Sequence, residues 1–91
     1  MNLFSLKDKV IIVTGGSGVL GSSFVEAIAE AGGKVVILGR NEKKAEARAA
    51  VVRQNGGNAL ALSVDVLNEE ALQHARERIL QTYGQIDGLA R

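Results

Sequence analysis

The sequence predicts an α/β fold in which a parallel sheet is built from strands and helices in strict alternation. Three observations carry that prediction. The runs Val10-Ile11-Ile12-Val13, Val35-Val36-Ile37-Leu38 and Ala59 to Val64 are apolar at both parities, as strands buried on both faces are. Between these runs lie segments with apolar residues at helical spacing. The connections are short and rich in Gly and Asn, which is the α/β pattern.

Taken in order, Met1 to Asp8 reads as a lead-in whose Leu3, Phe4 and Leu6 cover the bottom of the sheet. Lys9 to Thr14 is the first strand. A helix follows from about Gly18 to Ala31, with Leu20, Phe24, Ala27, Ile28 and Ala31 as its apolar stripe and Glu26 and Glu30 turned away. Gly32-Gly33 stops that helix, and Lys34 to Leu38 is the second strand. In the turn Gly39-Arg40-Asn41, Asn41 is placed to cap the next helix. That helix buries Ala45, Ala49 and Val52, ends at Asn55-Gly56-Gly57, and keeps Lys43, Lys44, Glu46, Arg48 and Arg53 on a solvated side. Ala59 to Val64 is the third strand. Asn68 then caps a third helix whose Glu69 and Glu70 favour the positive end of the helix dipole. Leu72, Ala75, Ile79 and Tyr83 form its stripe, Gly84 ends it, and Gln85 to Arg91 begins a fourth strand.

Right-handed crossovers fix the expected topology. The sheet is ordered 3-2-1, with the first two helices on one face. A fourth strand pairs on the other side of strand 1, which puts the third helix on the opposite face. Ligands in such sheets bind beyond the carboxyl ends of the strands, where the order reverses.

Composition narrows the function classes. The 91 residues make one small domain, and 46% apolar content is ordinary for a globular chain. A net charge of +1 and 3% aromatic residues argue against a nucleic-acid partner. The absence of cysteine excludes disulfides, thiolate metal sites and thiol catalysis. No stretch reaches the roughly 20 apolar residues that span a bilayer, and Lys7, Asp8 and Lys9 interrupt any secretory signal. The expectation is a cytoplasmic protein without membrane contact.

The turn Thr14-Gly15-Gly16-Ser17-Gly18-Val19-Leu20-Gly21 carries the chemistry. It satisfies G-x-G-x-x-G through Gly16, Gly18 and Gly21, and T-G-x-x-G-x-x-G through Thr14, Gly15, Gly18 and Gly21. Set between a strand and a helix, this is the Rossmann layout in which backbone N–H groups and a helix N-terminus hold a dinucleotide pyrophosphate. Gly15 or Gly16 makes the tight turn, Gly18 lets the pyrophosphate approach, and Gly21 lets the helix pack closely on the first strand. Ser17 serves equally as a helix cap or a phosphate donor. At the end of the second strand, where NAD sites carry an acidic residue for the ribose, stand Gly39 and Arg40. A guanidinium grips a 2′-phosphate bidentately, so the expected cofactor is NADP(H) rather than NAD(H). Asp65-Val66 follows the third strand, where the carboxylate accepts from an adenine amino group, or forms a turn, and Val66 lines the ring. His74 reads as solvated, Tyr83 as a packing residue, and Asp87 as lacking a paired carboxylate. No catalytic residue and no metal site is assigned.

These motifs, with the lead-in Phe4-Ser5-Leu6-Lys7-Asp8-Lys9-Val10 and the segment Tyr83-Gly84-Gln85-Ile86-Asp87-Gly88-Leu89, resemble the short-chain dehydrogenase/reductase family along essentially the whole chain. The resemblance implies cofactor roles for Gly15, Ser17, Gly18, Leu20, Arg40, Asp65 and Val66. It also implies hydride transfer between a nicotinamide cofactor and a carbonyl or hydroxyl substrate, and the loop resembles a sugar-acid reductase branch. Two departures stand out. The family's commoner loop has its middle glycine where this chain has Val19, and Ala90-Arg91 replaces the start of the family's Asn-Ala-Gly segment. The serine and Tyr-x-x-x-Lys pair on which the family's catalysis depends have no counterpart here. The chain therefore reads as the cofactor-binding half of an oxidoreductase, with a small-molecule substrate only in the full-length parent. A non-catalytic dinucleotide-binding module and a remnant offering only an interaction surface are the alternatives. By itself such a half-sheet is expected to expose strand 1 as an edge and to form a homo-oligomer.

Overall fold

The computed structural model describes residues 6–14, 19–65 and 67–90. Four strands and three helices alternate: β1 (Val10–Thr14), α1 (Val19–Glu30), β2 (Lys34–Gly39), α2 (Glu42–Gln54), β3 (Asn58–Ser63), α3 (Glu69–Tyr83) and β4 (Gly88–Ala90). The sheet order is β3-β2-β1-β4 and each pairing is parallel, with Val13 opposite Ile37, Val36 opposite Leu60 and Ile12 opposite Leu89. The expected order and the fourth strand are both present. The β4 pairing corrects the expectation of an open β1 edge: the short β4 covers β1 and is itself the edge, with Leu89 56% exposed.

Side-chain alternation along the central strands builds one core on each face. On the first, Val13, Val35 and Ile37 meet Val25 and Ile28 of α1 and Ala45, Ala49 and Val52 of α2. On the other, Val10, Val36 and Leu38 meet Ala75 and Ile79 of α3. Full burial of a side chain such as Ile37 contributes about 1.5–3 kcal/mol. The predicted stripes of α2 and α3 face these cores, whereas that of α1 is displaced. Phe24 is 55% exposed and Ala27 is exposed, while Val25 is fully buried. Val25 and Ile28 fill the space over Val13 and Val35, and the small Ala29 packs against the same cluster.

Lys43, Lys44, Glu46 and Arg53 lie on the solvated side of α2 as expected, and the exception is Arg48. The half-buried Arg48 reaches Glu26 of α1 at 3.5 Å, and Arg53 pairs with Glu46 while its Nε–H donates to the Ala59 carbonyl at 3.1 Å. These arginines tie α2 to its neighbours through their long stems as well as their charge.

The exits from α1 and α2 are built identically. Gly32 and Gly56 take φ of +91° and +86°, the left-handed conformation that closes a helix. Gly33 N–H donates to the Ile28 carbonyl and Gly57 N–H to the Val52 carbonyl, each at 2.9 Å. These are the 6→1 bonds of a Schellman motif. The second glycine of each pair is required by space. A Cβ on Gly33 would lie 2.7 Å from Ile28 Cγ2, and one on Gly57 would lie 2.7 Å from Val52 Cγ1. Asn41 and Asn68 cap α2 and α3 as the sequence predicts, accepting from Lys44 N–H and Ala71 N–H at 3.0 Å.

Gly33→Ala and Gly57→Ala should each destabilise the fold by roughly 1–3 kcal/mol, the usual range for overpacking a close contact. Urea denaturation followed by circular dichroism checks this; unchanged midpoints would show that the helix ends move aside freely.

Candidate functional site

The carboxyl ends of β2 and β3 form one rim of the sheet. Gly39 pairs with Ser63 in the parallel register, which brings the residues following each strand side by side. Val64 N–H donates to the Gly39 carbonyl at 2.9 Å, and Ser63 Oγ donates to the Arg40 carbonyl at 3.2 Å. On this backbone frame Arg40 Nη2 meets Asp65 Oδ1 at 3.3 Å. The two residues singled out separately in the sequence thus form one ion pair.

Asp65 does more than pair with Arg40. Its Oδ1 also accepts from Leu67 N–H at 3.0 Å, and its carbonyl accepts from Asn68 N–H at 2.9 Å. It is therefore a turn-forming aspartate that leads into the Asn68 cap of α3. Among the described residues both hydrogen bonds to its carboxylate fall on Oδ1. The pair is open to solvent, with side-chain exposures of 69% for Arg40 and 51% for Asp65. An ion pair so exposed contributes about 0–1 kcal/mol and exchanges readily for another partner. Leu67, beside it, is 80% exposed and presents an apolar surface at the rim. Sequence reasoning passed over Leu67, because an exposed leucine in a turn has no distinguishing pattern.

Below the rim, on the α3 side of the sheet, a cavity of about 430 Å³ is lined by Ile12 and Thr14 of β1, Leu38 of β2, Ile79 and Arg76 of α3, and Leu89 of β4. Thr14 and Leu38 lie opposite each other in the β1–β2 register, Thr14 at the carboxyl end of β1 and Leu38 one residue before that of β2. Gly15, Ser17, Gly18 and Val66 lie outside the described residues. Leu20 and Gly21 are described only as backbone of α1. His74 is exposed on α3, and no cluster of potential metal ligands occurs among the described residues.

At the opposite end of β1 the structure uses a residue the sequence reading left without a partner. Asp87 N–H donates to the Val10 carbonyl and Val10 N–H donates to Asp87 Oδ2, each at 2.8 Å. Gln85 Nε2 donates to the same carboxylate oxygen at 2.7 Å and to the Asp8 carbonyl at 2.8 Å. The Val10 backbone bond, chiefly, holds the Asp87 carboxyl below its ordinary pKa, with Gln85 and the charge of Lys9 adding to it. Tyr83 packs as predicted, half-buried against the second core, with Lys34 Nζ 5.5 Å from its ring centroid. Burial pushes its hydroxyl pKa up.

A parallel sheet covered by helices on both faces places this chain in the α/β class. More narrowly, the chain belongs to the short chain dehydrogenase family, whose model matches residues 9–91. It is 40% identical over 83 residues to the uncharacterized oxidoreductase UxuB of Bacillus subtilis, covering 91% of this chain and 30% of that protein. It is 37% identical over 84 residues to the sorbose reductase sou1 of Schizosaccharomyces pombe, covering 91% of this chain and 33% of that one. A crystal structure from Haemophilus influenza, described as a D-mannonate oxidoreductase with bound NAD, superposes with a TM-score of 0.91 at 32% identity, covering 94% of this chain and 31% of that one. The chain thus spans about a third of the length of these relatives. Among the described residues no helix is long and apolar enough to cross a membrane.

Asp87→Ala should lower the melting temperature by several degrees at pH 7. A depressed carboxyl pKa stabilises the fold above the unfolded-state value of about 3.9, and the contribution is lost as pH falls through the folded value. The gap between wild type and variant should therefore be full at neutral pH and shrink below about pH 4. Melts at a series of pH values check this; a constant gap would assign the loss to packing alone.

Proposed function

We propose that this chain is the NADP(H)-binding part of a short-chain dehydrogenase/reductase that moves hydride between a nicotinamide cofactor and a carbonyl or hydroxyl substrate. The observation that carries the reading is the guanidinium of Arg40 at the carboxyl end of β2, exposed and, among the described residues, in one long ion pair with Asp65. In dinucleotide-binding sheets this place belongs to the residue that reads the 2′ position of the adenosine ribose. A fixed cation there favours a phosphate, whereas NAD sites put a carboxylate there. Lys43 and Lys44, exposed in the first turn of α2, add positive charge nearby.

The remaining assignments follow the same layout. The amides of Gly15, Ser17, Gly18 and Leu20 meet the pyrophosphate, and Gly21 admits α1 close to β1. Asp65 accepts from the adenine amino group while Val66 and the exposed Leu67 flank the ring. The bound cofactor supplies the hydride; this chain's residues bind and orient it. The sugar-acid substrate class draws support from the D-mannonate oxidoreductase and the sorbose reductase, both of which act on polyhydroxylated compounds by name. The short β4 edge with exposed Leu89 favours assembly into a homo-oligomer.

A second reading, NAD(H) in place of NADP(H), is favoured by one observation: the D-mannonate oxidoreductase relative carries NAD. Fluorescence titration of the chain with NADPH and NADH separates the two. Arg40→Asp should weaken NADPH binding roughly ten- to hundredfold, as loss of a charge-assisted hydrogen bond to phosphate does, and change NADH binding far less. Equal weakening of both would remove Arg40 from the 2′ site.

A further inference from the structure

The Arg40–Asp65 pair has a consequence for selectivity, which rests on the nucleotide reading above. We propose that Asp65 is a specificity-setting residue: it holds the Arg40 guanidinium in an ion pair that a 2′-phosphate must displace or share, and so limits the preference for phosphorylated nucleotide. Arg40 and Asp65 stand on separate turns whose backbones are fixed to each other by the Val64–Gly39 and Ser63–Arg40 hydrogen bonds. The accepting oxygen is itself pinned by Leu67 N–H. The carboxylate therefore has a backbone anchor of its own, independent of the guanidinium. At 3.3 Å the contact is longer than the 2.7–2.9 Å of a well-formed charge-assisted bond, which marks the pair as one that yields to a better acceptor.

The two nucleotide classes meet this pair differently. A 2′-phosphate brings up to two negative charges beside a carboxylate already engaged by the arginine. It has to share the five-donor guanidinium with Asp65 or pull it away. A 2′-hydroxyl brings no charge and leaves the pair intact. Asp65 thus penalises the phosphorylated ligand alone, while its contact with the adenine amino group, common to both ligands, cancels from the ratio.

The test is isothermal titration of the chain with adenosine 2′,5′-bisphosphate and with 5′-AMP, for wild type, Asp65→Asn, Arg40→Gln and the double variant. Asparagine removes the charge and keeps an oxygen for Leu67 N–H. Asp65→Ser does the same through its hydroxyl and serves if the first variant fails to fold. The expected result is a two- to fivefold rise, roughly the strength of an exposed ion pair, in the preference of Asp65→Asn for the bisphosphate. That gain should shrink in the Arg40→Gln background. A preference that Arg40→Gln alters and Asp65→Asn does not, or an equal gain in both backgrounds, overturns the proposal. Wild-type chain that binds neither nucleotide, or a ratio that Arg40→Gln leaves unchanged, overturns the 2′-site reading itself.

Discussion

Burial of the sheet on both faces is the constraint from which the rest of this structure follows. A strand covered on one side alternates apolar and polar residues, but the central strands here have no polar face to offer. Val35 and Ile37 pack towards α1 and α2, while Val36 and Leu38 pack towards α3. Helices must then lie on both sides, and a right-handed chain can put them there only by winding outwards from β1 in both directions. That winding leaves β1 and β2 in the middle of the sheet. The rim is the part of the sheet that the packing cannot close.

The two ends of the sheet are organised by different kinds of contact. At the amino end, Val10 and Asp87 exchange two short hydrogen bonds, one of them charge-assisted, and Gln85 braces the same carboxylate. At the carboxyl end, Arg40 and Asp65 share one longer contact in the open. Short and braced contacts hold a register, whereas an exposed and long one leaves its groups available. The difference in geometry separates a contact that maintains the fold from one whose groups stay open to solvent.

Much of this was legible in the chain. Unbroken β-branched runs and glycine-marked exits, with a fixed crossover hand, determine the strand order and the helix faces. What local pattern could not determine was anything set by non-local pairing. In α1 the residues Phe24, Val25, Ala27, Ile28 and Ala29 satisfy two stripes one residue apart, and contact with Val13 and Val35 selects the one containing Val25. Arg40 and Asp65 were each recognisable by their place after a strand. Their contact depends on Gly39 lying opposite Ser63, which only the folded register supplies. Asp87 looked partnerless because its partner is a backbone amide 77 residues away. The roles assigned to Gly15, Ser17, Gly18 and Val66 lie outside the described residues and remain readings of the motif.

The latch at Asp87 has a bearing on how such a protein can change. It grips the foot of the same strand whose head leads into the glycine motif, with all of β1 between the two. On the proposed reading, the residues that select the nucleotide follow β2 and β3, so substitutions there would leave the hydrogen bonds at the foot of β1 untouched. Loosening at the foot, in turn, would spare the Arg40–Asp65 pair. If the proposed nucleotide reading holds, ligand choice and endurance would then be separable, and a lineage could revise the first without gambling the second.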